Sequence, residues 1–193
     1  VWEWTNRVAK ELYKTHPDRY VSNFAYGTYK LPPENIDKLS PNVVVGIVHG
    51  RQSRELNPQR AEELQELRQK WLDISSNKLV IWINYPQMRR GEYRPCYWPH
   101  VTARSIRNTK GQSQGEYSWL PEANGVDVPG VNHLSAYMYL RYLWDADQDI
   151  EAVLNEYYDL FYGPAAKQMK AFIEHCETHF TELTDSRELA EKA

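Results

Sequence analysis

Three short apolar runs constrain this chain more than any other feature: YVSNFAY (20–26), NVVVGIV (42–48) and KLVIWI (78–83). Continuous Val/Ile-rich runs of this length suit strands covered on both faces, as in a parallel sheet flanked by helices. Helical patterns alternate with them. The opening VWEWTNRVAKELYKTH reads as a helix with Trp4, Val8 and Leu12 on one face. Asn57 can cap a second helix whose first turn holds Pro58, with Ala61, Leu64, Leu67 and Trp71 recurring on one side. The link GTYKLPPENIDKLSP between the first two strands is proline-rich and reads as irregular. The third strand runs into a long loop with three prolines, NYPQMRRGEYRPCYWPH, then a short helix near 99–108. A fourth strand is expected where the chain reads GEYSWLPEANG (115–125).

After Pro129 the pattern is helical alone. Residues 131–144, VNHLSAYMYLRYLW, are apolar on most sides and predict a deeply packed helix, with Trp144 and Tyr137, Tyr139 and Tyr142 in the core. Asp147 suits the cap of the next helix, whose Ile150, Val153, Leu154, Tyr157, Tyr158 and Phe161 share a face. Gly163-Pro164 ends that helix and starts another, with Met169, Phe172, Ile173, Cys176, Phe180 and Leu183 in register.

Strand–helix alternation followed by helices leaves two architectures, part of a (β/α)8 barrel or a small open α/β sheet. No glycine-rich phosphate-binding motif follows any strand, so a nucleotide-binding open sheet lacks support. Four strand-bearing units are half of a closed barrel. The first residue is Val1 and the last helix stops without glycine or proline, so the reading is an excised piece. The expected architecture is the C-terminal half of a (β/α)8 TIM-like barrel over 1–130, with a helical segment over 131–193 packing on or extending it. The N-terminal half of the parent chain is then a partner, and the isolated fragment is expected to self-associate through its open sheet.

Charge narrows the partners. With 26 acidic against 23 basic residues there is no broad basic surface for nucleic acid. No apolar run approaches the roughly 20 residues that span a bilayer. Cys96 and Cys176 form neither a disulfide framework nor a zinc motif. His175 and His179 have metal-pair spacing, but no Glu follows His175, and an ordinary surface pair is the better reading. No cofactor is implied. Seven Trp and 14 Tyr outnumber four Phe, and amphipathic rings of that kind line carbohydrate clefts as readily as they fill cores.

In parallel barrels the functional side chains stand at the C-terminal ends of strands and in the loops that follow. Here those places hold Tyr26 and Tyr29, then His49 and Arg51, then Trp82, Asn84 and Tyr85, then Glu116, Trp119 and Glu122. Flat rings would stack on sugar, the amide and imidazole would bind hydroxyls, and Arg51 would hold an acidic sugar through a two-point contact. Glycoside hydrolysis needs two carboxyl groups across the scissile bond, for which Glu116 and Glu122 are the candidates. Either glutamate also fits a solvated loop charge.

Three blocks carry a family resemblance: WTNRVAKELYKTHPDRYVSNFAYGTYKLPPENIDKLSPNVVVGIV, KWLDISSNKLVIWINY and AYMYLRYLWDADQDIEAVLNEYYDLFYGPAA. They resemble the bacterial domain-of-unknown-function family 4838. The last block, with Leu-Trp-Asp ending one helix and Tyr-Gly-Pro-Ala-Ala opening another, is also similar to α-glucuronidases of glycoside hydrolase family 67. The resemblance implies a glycoside-hydrolase-like barrel half in an exported protein. There is one departure. Where relatives read Trp-Asp-Tyr after the third strand, this chain reads Trp82-Ile83-Asn84-Tyr85, so a catalytic Asp at that place would be missing. Two functions follow as expectations: general acid–base hydrolysis of a glycosidic bond, or non-catalytic glycan binding or a structural role within a larger protein.

Overall fold

The computed structural model describes residues 1–48, 55, 57–84, 97–119 and 128–191, with the backbone alone at 84, 119, 128–132 and 180–191. The elements in chain order are α1 (Trp2–Thr15), β1 (Val21–Ala25), β2 (Val43–Val48), α2 (Pro58–Ile74), β3 (Leu79–Asn84), α3 (Pro99–Thr109), β4 (Ser113–Trp119), α4 (Val128–Trp144), α5 (Ile150–Tyr162) and α6 (Ala166–Glu191). They divide into two compact units. One is made of Val1–Gly50, Gln59–Ile83 and Thr109–Trp119, the other of Arg51–Pro58, Asn84–Asn108 and Leu120–Ala193.

The first unit holds the sheet. Its four parallel strands lie in the order β1-β2-β3-β4, with Phe24 opposite Gly46, Gly46 opposite Val80 and Val48 opposite Trp82. Chain order and spatial order coincide, so the sheet lacks the reversal that defines a doubly wound fold. The three apolar runs therefore form parallel neighbours, as their composition predicts.

Their coverage differs from expectation. Ala25, Val43, Val45, Ile47, Leu79, Ile81 and Ile83 are buried, whereas the residues alternating with them, Phe24, Val44, Val48, Val80 and Trp82, are only half-buried. Side chains of a strand alternate between faces, so one face is sealed and the other is partly open. Helix α1 lies on the sealed face, where Asn23 donates to the Thr5 hydroxyl at 2.9 Å. Helix α2 joins α1 through Trp2 and Trp71, whose ring centroids are 4.4 Å apart. Each large side chain sealed in this layer contributes roughly 1.5–3 kcal/mol.

The buried side of α1 is Trp2, Thr5, Asn6 and Ala9, while Trp4 is largely exposed. The predicted stripe Trp4/Val8/Leu12 followed the larger apolar residues. The observed face instead carries two polar side chains with buried partners. Asn6 Oδ1 accepts from the Ser40 backbone N–H at 2.7 Å, and the Thr5 hydroxyl meets Asn23. Asn42 continues the network at the entry to β2. Its amide donates to the Ala9 carbonyl (3.0 Å) and the Arg19 carbonyl (3.2 Å), and its oxygen accepts from the Ser40 hydroxyl (2.8 Å). These bonds tie α1 and the chain leading into β1 to the N-terminal end of the sheet.

The second unit is helical. Asp149, rather than Asp147, caps α5, its carboxylate accepting from the Ala152 N–H at 2.7 Å. Asp147 instead donates its backbone N–H to the Asp145 carboxylate at 3.0 Å within the preceding turn. Gly163 ends α5 at φ 49°, in the left-handed region that favours glycine, and its N–H returns to the Asp159 carbonyl. In α4, Leu134, Met138, Tyr139 and Tyr142 are buried as predicted, but Trp144 is 92 % exposed and Leu140 and Leu143 are also exposed. A helix apolar on most sides predicts deep packing; here it is sealed on one side. Trp144 is its last residue, beyond the packing of the turns before it.

Candidate functional site

The partly open face of the sheet carries a row of rings. Phe24 on β1 meets Trp82 on β3 edge-on at 4.8 Å between centroids, and Trp82 meets Tyr117 on β4 edge-on at 4.9 Å. Strand β2 lies between β1 and β3, and the row crosses it because Gly46 has no side chain. A Cβ there would lie 2.3 Å from the Phe24 ring. The edge-to-face geometry is the favoured one for aromatic pairs and holds each ring at a fixed angle. Tyr117, 54 % exposed, is the most open of the three.

Tyr26 extends this surface along β1. Its backbone stays extended (φ −145°, ψ 149°) after Ala25, so alternation places it on the Phe24 face, where it is 59 % exposed. The chain then turns through a short 3-10 segment, Gly27–Tyr29, with Gly27 at φ 56° and the Tyr29 N–H donating to the Tyr26 carbonyl. The result is an aromatic surface at the C-terminal ends of parallel strands, where ligands bind in such sheets.

Of the residues predicted from sequence, Tyr26 and Trp82 stand on this surface. Asn84 and Trp119 are the last residues of β3 and β4, placed by their backbones. Glu116 lies in β4 next to Tyr117. Neighbouring strand residues point to opposite faces, so the sheet separates its carboxylate from the ring row. His49, Arg51, Tyr85 and Glu122 lie outside the described residues. Phe24, Gly46 and Tyr117 were not singled out in advance. Their signal was the strand periodicity itself, which puts 24, 26, 46, 82 and 117 on one face once the register is known.

A buried carboxylate also escaped the sequence reading. Glu55, between β2 and α2 in sequence, is 6 % exposed and accepts from the Ser105 hydroxyl of α3 at 2.7 Å. In RQSRELN it looks like one charge among several in a polar loop.

The second unit contains an ionic cluster around His100. Its Nδ1 is 2.6 Å from Glu177, its Nε2 is 2.9 Å from Glu151, and its backbone N–H also donates to Glu177. Lys170 stands 3.7 Å from Glu151. A neutral imidazole has a single N–H and cannot donate to both carboxylates, so this geometry needs the imidazolium. The hydrogen bond to Glu177, opposed by burial and reinforced by Glu151, raises the His100 pKa from 6.5 to about 9. Both ring nitrogens are engaged, which leaves neither for proton transfer to a substrate. His100 clamps α3 to α5 and α6. Its folded-state pKa is raised, so the stabilisation is complete below pH 6.5 and is lost as pH climbs through about 9. Urea titrations from pH 6 to 10 should show the helical unit losing about 1 kcal/mol that His100→Gln does not lose, after allowance for solvent screening of partly exposed charges. Parallel curves for the two proteins would show that the clamp contributes nothing.

His175 and His179 are exposed, their rings stacked 6.1 Å apart. Among the described residues no group of three His, Cys, Asp or Glu side chains could hold a metal ion, and no helix is long and apolar enough to cross a membrane.

Comparison with known families decides the chain's affiliation. The model of a family described as a domain of unknown function (DUF4838) matches residues 1–174. The chain belongs to the DUF4838 family. The match spans the whole sheet-bearing unit, so the aromatic surface of this DUF4838 member lies within the family's domain, as does the His100 partner Glu151. Glu177, the other partner, lies beyond it. No curated protein and no solved structure matched the chain.

Proposed function

We propose that this DUF4838 chain binds carbohydrate on the ring row Phe24–Trp82–Tyr117 and its neighbour Tyr26, as half of a glycoside-hydrolase-like (β/α)8 barrel in an exported protein. The observation that carries the reading is the row itself. Half-open aromatic rings, fixed edge-to-face at the C-terminal ends of parallel strands, offer flat apolar surface with phenol and indole polar edges. The C–H face of a pyranose complements such a surface, and its hydroxyls complement the edges. Sequential strand order supports the barrel half, since right-handed crossovers between successive parallel neighbours keep their helices on a single side, and α2 packs on α1, the helix of the sealed face.

Isothermal titration of the chain with xylo- and cello-oligosaccharides, with and without an appended glucuronic acid, tests the reading. Trp82→Ala and Tyr117→Ala should each weaken binding about tenfold, which corresponds to about 1.4 kcal/mol. Binding by neither the parent nor any variant would refute it.

Hydrolysis is the second reading, favoured by Glu55, since a buried carboxyl is the kind of group that serves as general acid. The carboxyl candidates are then Glu55 and Glu122, with Glu116, on the face away from the ring row, as the control. Release of aryl leaving groups from aryl glycosides that disappears in Glu55→Gln or Glu122→Gln but persists in Glu116→Gln would select the acid. Turnover unchanged in all three, or none in the parent, removes the hydrolytic reading and leaves binding.

A further inference from the structure

Two indole N–H groups converge on consecutive carbonyls of the loop that follows β1. Trp2 donates to the Tyr29 carbonyl at 2.9 Å, and Trp71 donates to the Lys30 carbonyl at 2.8 Å. The donors come from α1 and α2, far apart in sequence, and their rings pack on each other with centroids 4.4 Å apart. Trp71 is fully buried and Trp2 nearly so. Neither indole can swing away without opening the core beneath the sheet. The loop they hold is the turn that begins at Tyr26 and contains Tyr29, itself closed by the Tyr29 N–H on the Tyr26 carbonyl.

We infer that Trp2 and Trp71 are positioning residues that lock the β1 loop from the sealed side of the sheet, so that Tyr26 is presented at a fixed place on the open side. The inference rests on the carbohydrate-binding reading for its functional consequence, but not for the lock itself. The physical case is one of pre-organisation. Tyr26 is well exposed, and an exposed tyrosine on a free loop must be ordered when a ligand stacks on it, at a cost to affinity. Here the backbone next to the ring is held before any ligand arrives. The two acceptors differ in a useful way: Tyr29 lies inside the 3-10 turn and Lys30 just beyond it, so together the indoles fix both the turn and its exit. Carbonyls in an irregular loop have no ladder partner, and donors from buried indoles satisfy them without water. A phenylalanine at either position would fill much of the same space and lack the donor.

Trp71→Phe and Trp2→Phe separate the hydrogen bond from the packing. Hydrogen exchange followed by mass spectrometry reads the lock directly. In each variant the amides of residues 27–31 should exchange about tenfold faster, the loss of one part-buried hydrogen bond, while β2 and β3 keep their protection. Titration with the same oligosaccharides should show affinity falling about fivefold, with no further loss when Trp71→Phe is added to Tyr26→Ala, because residues acting as one unit are not additive. Unchanged exchange at 27–31 in both variants overturns the lock. Full additivity with Tyr26→Ala overturns its link to Tyr26. Should Trp71→Phe fail to fold, Trp2→Phe at the rim of the same core carries both readouts. If the parent chain binds no oligosaccharide, the carbohydrate-binding reading falls while the exchange measurement still decides the lock.

Discussion

Replacing Asn42 by leucine is expected to destabilise the sheet-bearing unit by about 3–4 kcal/mol, the largest loss from any single polar side chain described here. Asn42 is buried and uses both ends of its amide, donating to the Ala9 and Arg19 carbonyls and accepting from the Ser40 hydroxyl. Leucine keeps the branching and heavy-atom count but is bulkier, so no cavity opens and the loss reports the hydrogen bonds together with some overpacking. The buried Ser40 hydroxyl, the Ala9 carbonyl and the partly exposed Arg19 carbonyl each lose this partner, and an unsatisfied buried polar group costs about 1–3 kcal/mol. Relaxation of the Ser40 hydroxyl toward another acceptor keeps the total below the simple sum. Urea denaturation followed by tryptophan fluorescence measures it, because Trp2 and Trp71 lie in this core. A midpoint shift corresponding to less than 1 kcal/mol would show that the network is dispensable and that α1 is held by its apolar contacts alone.

The second large effect is at Gly46. Valine there should cost about 1–3 kcal/mol through overpacking and should abolish carbohydrate binding. A Cβ at this place falls within 2.3 Å of the Phe24 ring, well inside contact distance, so either the ring or the strand must move. Strand β2 is hydrogen-bonded on both sides and resists; the ring is the part that gives. Once displaced, Phe24 no longer braces Trp82 at 4.8 Å, and the row loses its fixed angles. Gly46→Ala should show the same defect in weaker form, while Phe24→Ala combined with Gly46→Ala should recover folding stability without recovering binding. The double variant is the sharper check. If it binds as the parent does, the Phe24 ring contributes nothing to the surface and Gly46 is only a packing constraint.

Much of the fold was legible because β periodicity and helix boundaries are local properties. The Val/Ile runs at 42–48 and 78–83 mark strands within a residue or two, and Gly163-Pro164 marks a helix junction through backbone geometry that few other residue pairs adopt. Coverage of the faces was less legible. NVVVGIV is apolar at alternating and intervening positions alike, so composition predicts two buried faces where the structure has one sealed and one half-open. The sealed side of α1 was misjudged for a related reason. Thr5 and Asn6 become suitable core residues only when Asn23 and Ser40, distant in sequence, bring the matching donors and acceptors. Trp144 illustrates the reverse case, a large apolar ring at a helix end that finds no layer to enter. Of the candidate site, Tyr26 and Trp82 were visible from their positions at strand ends. Phe24, Gly46 and Tyr117 required the register, which a sequence does not display, and Glu55 required the distant Ser105.

Whether the half-open face of the sheet is a carbohydrate surface is decided by a crystal structure of the chain grown with a bound oligosaccharide. A pyranose ring is expected against Tyr117 and Trp82, with Tyr26 at its edge and the Tyr29 and Lys30 carbonyls still held by the two indoles. A sugar bound only on the helical unit, or a ring row covered by protein with the sugar elsewhere, would contradict the carbohydrate-binding reading.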